Sequence, residues 1–132
     1  MKDIKQASSL LTMAYKDFTA LKHMLDEEDF AEEIFGFHIQ QAIEKSLKAW
    51  LALKGILYPK IHNINLLLQL LKQNGAHIDS FTELIEYNSF AVQFRYEEFD
   101  LTDAPIDRRE SIRQVGELLK HVRQLLDITQ GG

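Results

Sequence analysis

The chain reads as an all-α, up-and-down bundle of about five helices, and three features of the sequence predict it. Apolar residues recur at steps of three and four along most of its length, the spacing that gives a helix one buried face. Most breaks in that pattern carry residues that cap or stop a helix. No stretch alternates polar and apolar residues as a half-buried strand would.

The first helix spans about Ile4 to Leu25, with Ile4, Ala7, Leu11, Ala14, Phe18, Leu21 and Leu25 forming a heptad seam. Asp29, with Glu32 three residues on, predicts a capped start for the second helix, and Gly55 predicts its stop. Within it Ile34, Phe35, Ile39, Ala42, Ile43, Ser46, Ala49, Trp50 and Leu53 make one apolar or small face. Phe37, Leu47 and Leu51 project away from that face and need cover, from a further element or from a second copy across a two-fold axis. Pro59 keeps the next connection out of a helix. Asn63 caps a short helix carrying Ile64, Leu67, Leu70 and Leu71, and Asn74-Gly75 ends it. Ser80 and Glu83 form a capping box for a fourth helix that packs Phe81, Leu84, Ile85 and Phe94. After an acidic loop, Thr102, Asp103 and Pro105 introduce a last helix that buries Ile112, Val115, Leu119, Val122 and Leu126.

The 132 residues are expected to form a single domain, residues 1–132, with no internal repeat or linker. Hydrophobic residues at 45% and charged residues at 27% are ordinary for a globular protein. With no cysteine, disulfides and thiolate chemistry are excluded. No apolar run is long enough to span a membrane, and polar residues interrupt the start MKDIKQASSLL, so a cytoplasmic location is expected. The net charge of −5 confines any nucleic-acid contact to a local patch.

Several residues are candidates for chemistry. His38, Gln41, Lys45 and Lys48 form a polar stripe on the second helix, with Glu44 beside it; the stripe reads either as a solvated border or as a ligand-facing row. Arg95-Tyr96, at a predicted helix end beside an acidic loop, is placed either to clamp a phosphate or to order the loop by pairing with Glu44, Glu97 or Asp100. Arg109, Arg113, Lys120 and Arg123 share a stripe on the last helix, interrupted by Gly116; a solvated face balanced by Glu110 and Glu117 accounts for it better than a phosphate-binding ridge does. His62 stands just before the third helix and reads as a loop or capping histidine. The paired Glu-x-x-His motifs of di-iron bundles are absent, as is any glycine-rich phosphate loop, so no metal and no cofactor is expected.

The ordered combination of QQAIEKSLKAWL at residues 40–51, His62 before a leucine-rich helix, and Phe94-Arg95-Tyr96 resembles the HEPN family of small helical domains. The resemblance runs from about Asp17 to Leu126 and is strongest at Gln40–Leu53 and Arg95-Tyr96. It implies association with a nucleotide or RNA, a homodimer, and a minimal nucleotidyltransferase-fold partner in a toxin–antitoxin-like two-component system. It assigns Arg95 and Tyr96 to a cleft, and together with Lys45 and Lys48 of the polar stripe these are the expected nucleotide- or phosphate-binding residues. Many members of that family are metal-independent ribonucleases with an Arg followed by His after four to six intervening residues. Here the eligible positions after Arg95 are Asp100, Leu101 and Thr102, and none of the five histidines has an Arg at the required distance before it. The expectation is therefore a non-catalytic binding domain. A degenerate ribonuclease using Arg95 with Tyr96 or Asp100, and a purely structural helical dimer, are the alternatives.

Overall fold

A computed structural model describes residues 2–89 and 106–131. Its elements are α1 (Ile4–Lys22), α2 (Glu32–Leu53), α3 (Ile64–Gln73), a 3₁₀ helix (Asp79–Ser89) and α4 (Arg108–Gly131), with no strand among the described residues. The all-α fold class is as predicted. α2 is the central helix: it contacts α1, α3, the 3₁₀ helix and α4, and most of its residues are buried.

Local chemistry explains most of the boundaries. Asp3 caps α1 by accepting the Gln6 N–H at 2.9 Å. α1 stops at Lys22, short of the predicted Leu25, because the His23 and Met24 N–H groups turn to the carbonyls of Ala20 and Leu21, the i−3 pattern that tightens a last turn. At the end of α2, the Ile56 N–H reaches Leu51 O at 3.0 Å and the Gly55 N–H reaches Ala52 O at 3.0 Å, with Gly55 at φ 72°. α3 ends in the same motif, with Ala76 N–H on Leu71 O, Gly75 N–H on Lys72 O and Gly75 at φ 88°. These are Schellman closures, and both glycines occupy the left-handed position that only they adopt without strain. Asn63 caps α3 as expected, its side chain accepting from the Leu66 N–H at 3.2 Å.

Three expectations change. Asp29 does not cap α2: Ala31 holds the cap position and makes no side-chain cap bond. Asp26 organises the turn instead, accepting the Glu28 N–H at 2.8 Å, while Glu32 accepts the Ile106 N–H at 2.7 Å rather than folding back on its own helix. The fourth helix is 3₁₀ rather than α and begins at Asp79, so Ser80 lies inside it; Glu83 is a partner of Gln114 at 3.3 Å. The buried residues Ile78, Phe81, Leu84 and Tyr87 fall every third position, and three residues per turn aligns all four on the core, whereas Ile85 is only partly buried. Leu47 and Leu51 are fully buried within the chain, so they call for no second copy; Phe37 is partly buried. Phe94 and the predicted cap residues Thr102, Asp103 and Pro105 lie outside the described residues. Asp107 supplies a cap for α4, accepting the Glu110 N–H at 3.2 Å.

Candidate functional site

The polar edge of α2 is built around Glu44, which is 3% exposed. Gln40, Glu44 and Lys48 follow one another at four-residue steps and so share a helix line. Gln40 Nε2 donates to Glu44 Oε2 at 2.6 Å, and Lys48 Nζ donates to Oε1 at 2.6 Å. From the loop before α3, His62 Nδ1 lies 2.8 Å from Oε1 and 3.0 Å from Oε2. Burial alone would raise the Glu44 pKa, but the bonds from Lys48, Gln40 and His62 outweigh it and hold the carboxyl below its usual value. An ionised carboxylate only accepts, so the proton between the two side chains sits on His62 Nδ1. The Lys48 ammonium also lies 5.8 Å from the centre of the Tyr58 ring.

A second ion cluster joins α2 to α1. Lys45 Nζ donates to Asp17 Oδ2 at 2.7 Å, and His38 Nδ1 lies 3.3 Å from Asp17 Oδ1. Burial opposes ionisation of Asp17, and the contacts with His38 and Lys45 more than offset it, so its pKa is lowered. The structure thus divides the α2 stripe between two carboxylates. Lys45 is committed to a helix–helix tie, and Lys48 to the Glu44 cluster. Arg95 and Tyr96 lie outside the described residues.

The α4 stripe resolves as a solvated face. Arg113 donates through Nε and Nη2 to both oxygens of Glu110 at 2.9 and 2.6 Å, and Arg123 Nε lies 3.3 Å from Asp127. Arg109 and Lys120 are exposed. Gly116 makes room for α1: a Cβ there would sit 3.1 Å from Cζ of Phe18. An open groove of about 600 Å³ runs between the 3₁₀ helix and α4 past Glu83, Arg113, Lys120 and His121. The His121 ring packs 4.7 Å from Trp50 and 5.3 Å from Phe81, and burial lowers its pKa. No group of three or more His, Asp or Glu among the described residues is arranged to hold a metal ion.

Two structural groups escaped the sequence reading. Arg108, 5% exposed, donates through Nη1 to Met24 O and Asp26 O and through Nη2 to Phe30 O, and its guanidinium lies 4.8 Å from the Phe35 ring. Tyr87 shares a hydrogen bond with Ser111 at 2.6 Å and donates to Gln114 at 2.9 Å. The four-residue step from Gln40 to Glu44 to Lys48 was visible in the sequence; no local spacing pointed to His62 as their partner.

An all-α bundle with a central helix that carries a buried, cation-neutralised carboxylate defines the class. Within it, the family model for the HEPN domain matches residues 7–131, nearly the whole chain. The chain belongs to the HEPN domain family. No curated protein and no solved structure matches it. No helix among the described residues is long and apolar enough to cross a membrane.

Proposed function

We propose that this chain is a non-catalytic HEPN-type binding domain that forms a homodimer and associates with a nucleotide, a minimal nucleotidyltransferase partner, or both, in a toxin–antitoxin-like two-component system. The observation that carries the reading is the Gln40–Glu44–Lys48–His62 cluster on the central helix. Apolar side chains would pack this position at no desolvation cost, whereas a buried carboxylate needs every one of these partners to offset its own. Perturbed, partnered ionisable groups of this kind concentrate at functional sites. Lys48, Arg95 and Tyr96 are the ligand-binding residues of this reading. Lys45 joins them only by leaving Asp17, with which it is paired.

The reading excludes efficient RNA cleavage through the family's Arg–His motif, because the positions eligible for its imidazole after Arg95 hold Asp100, Leu101 and Thr102. Loss of one general acid–base group costs about a hundred- to ten-thousand-fold in rate. The test combines nucleotide titration, capture with a minimal nucleotidyltransferase and an RNA-cleavage assay, each on the wild type and on R95A. Nucleotide binding weakened by R95A, with no cleavage by either protein, is the expected result. Wild-type cleavage abolished by R95A overturns the reading in favour of a ribonuclease.

A further inference from the structure

The Glu44 cluster also constrains the charge of what it meets. Both Glu44 oxygens are occupied: Oε1 accepts from Lys48 and His62, and Oε2 accepts from Gln40 and lies 3.0 Å from the same imidazole nitrogen. A carboxylate has about four lone-pair sites, so this one has little left for a ligand's donors or for a cation. Among the described residues, the groups of the cluster left for a ligand are the remaining Lys48 N–H bonds and the second ring nitrogen of His62, whose side chain is 48% exposed. The connecting loop around them, residues 54–63, carries Lys54, Lys60 and His62 and no acidic residue, in a chain whose net charge is −5. A saturated carboxylate behind a basic loop selects an anionic, acceptor-rich ligand.

We propose that His62 contacts a phosphate group at this site through Nε2, with Glu44 as the positioning residue that holds Nδ1–H and thereby fixes the ring. One proton is shared in the contact. An imidazolium donates it to a phosphate dianion, or a phosphate monoanion (dihydrogen phosphate, or the singly protonated ester of AMP) donates it to the neutral ring, with the same total protonation in both cases. Lys48 adds a charge-assisted donor beside it. The inference deepens the nucleotide reading above by naming the group that meets the phosphate, and it rests on that reading for the rest of the ligand.

The experiment follows the His62 ring nitrogens by NMR in the full chain during separate titrations with inorganic phosphate and with AMP. H62N is the decisive variant. Its side-chain amide stands in for Nδ1–H towards Glu44 and has nothing in place of Nε2, so a purely structural histidine leaves binding unchanged. The expected result is a saturable shift of the Nε2 signal with phosphate and with AMP, and binding at least about tenfold weaker in H62N, the loss of one hydrogen bond to a charged group. If H62N does not fold, the wild-type Nε2 titration with phosphate and with AMP decides by itself. An Nε2 signal unmoved by either probe overturns the proposal. AMP binding that is equal in wild type and H62N also overturns it while leaving the nucleotide reading intact. Phosphate binding at His62 with no gain for AMP keeps the proposal and removes the nucleotide.

Discussion

Glu44 shows how one residue can be both a liability and a specification. Its side chain is 4% exposed and that of its partner Lys48 is 14% exposed, so removing either charge strands the other in a poorly solvated place. E44Q is expected to cost about 3–5 kcal/mol in urea unfolding, the range for breaking a buried ion pair. The pH dependence follows from the same bonds. Against the opposing effect of burial, hydrogen bonds hold the Glu44 and Asp17 carboxyls below their usual values in the folded chain. Their ionisation therefore stabilises the fold above the usual carboxylate range, and that contribution is lost as pH falls through the folded values. A pH series of unfolding curves checks this: stability falls on the acid side in the wild type, and less steeply in E44Q. Arg108 is a residue of another kind. Its planar fork serves carbonyls in the α1–α2 connection and Phe30 just before α2, which a lysine ammonium cannot reproduce. R108K is expected to lose about 1–3 kcal/mol, the cost of leaving buried acceptors unpaired. The midpoint of chemical denaturation is the measurement.

Among the elements, α4 and the 3₁₀ helix carry the less obvious lessons. The gap in the basic stripe at Gly116 is a packing feature, because the ring of Phe18 on α1 occupies the space a side chain would need. G116V is expected to destabilise by about 1–3 kcal/mol through overpacking, and F18L in the same chain should recover part of the loss. Additive effects in that double-mutant cycle would show that the two positions are not in contact. The 3₁₀ helix survives for 11 residues, longer than such helices usually run. Its buried row of every-third residues, together with the Tyr87 bonds to α4 and the Asn88 side chain accepting the Ile64 N–H at 2.7 Å, supplies the tertiary support its own geometry lacks.

For the whole molecule, the burial of Leu47 and Leu51 removes one reason for a homodimer and leaves that assembly resting on family membership. A dimeric mass by light scattering at about 10–100 μM is the expected outcome, and a strictly monomeric mass over that range would count against it. Substitutions at Leu47 or Leu51 should lower stability without selectively weakening the dimer, since both side chains are enclosed within one chain.

Apolar period, or residues within a few positions of one another, made the all-α class, the glycine closures of α2 and α3 and the Asn63 cap legible in the sequence, and the order of motifs from Gln40 to Tyr96 made the family legible. The sequence also supplied the line Gln40–Glu44–Lys48, though not its meaning. Packing in three dimensions assigns Lys45 to Asp17, His62 to Glu44, Glu32 to Ile106 and Arg108 to the α1–α2 connection. These pairs are 18 to 84 residues apart in the chain, and no periodicity encodes which distant partner a charged side chain meets. The fourth helix lies between the two cases. Its three-residue spacing is written in the sequence, but an isolated chain favours α geometry, and packing against α2, α3 and α4 favours the tighter helix.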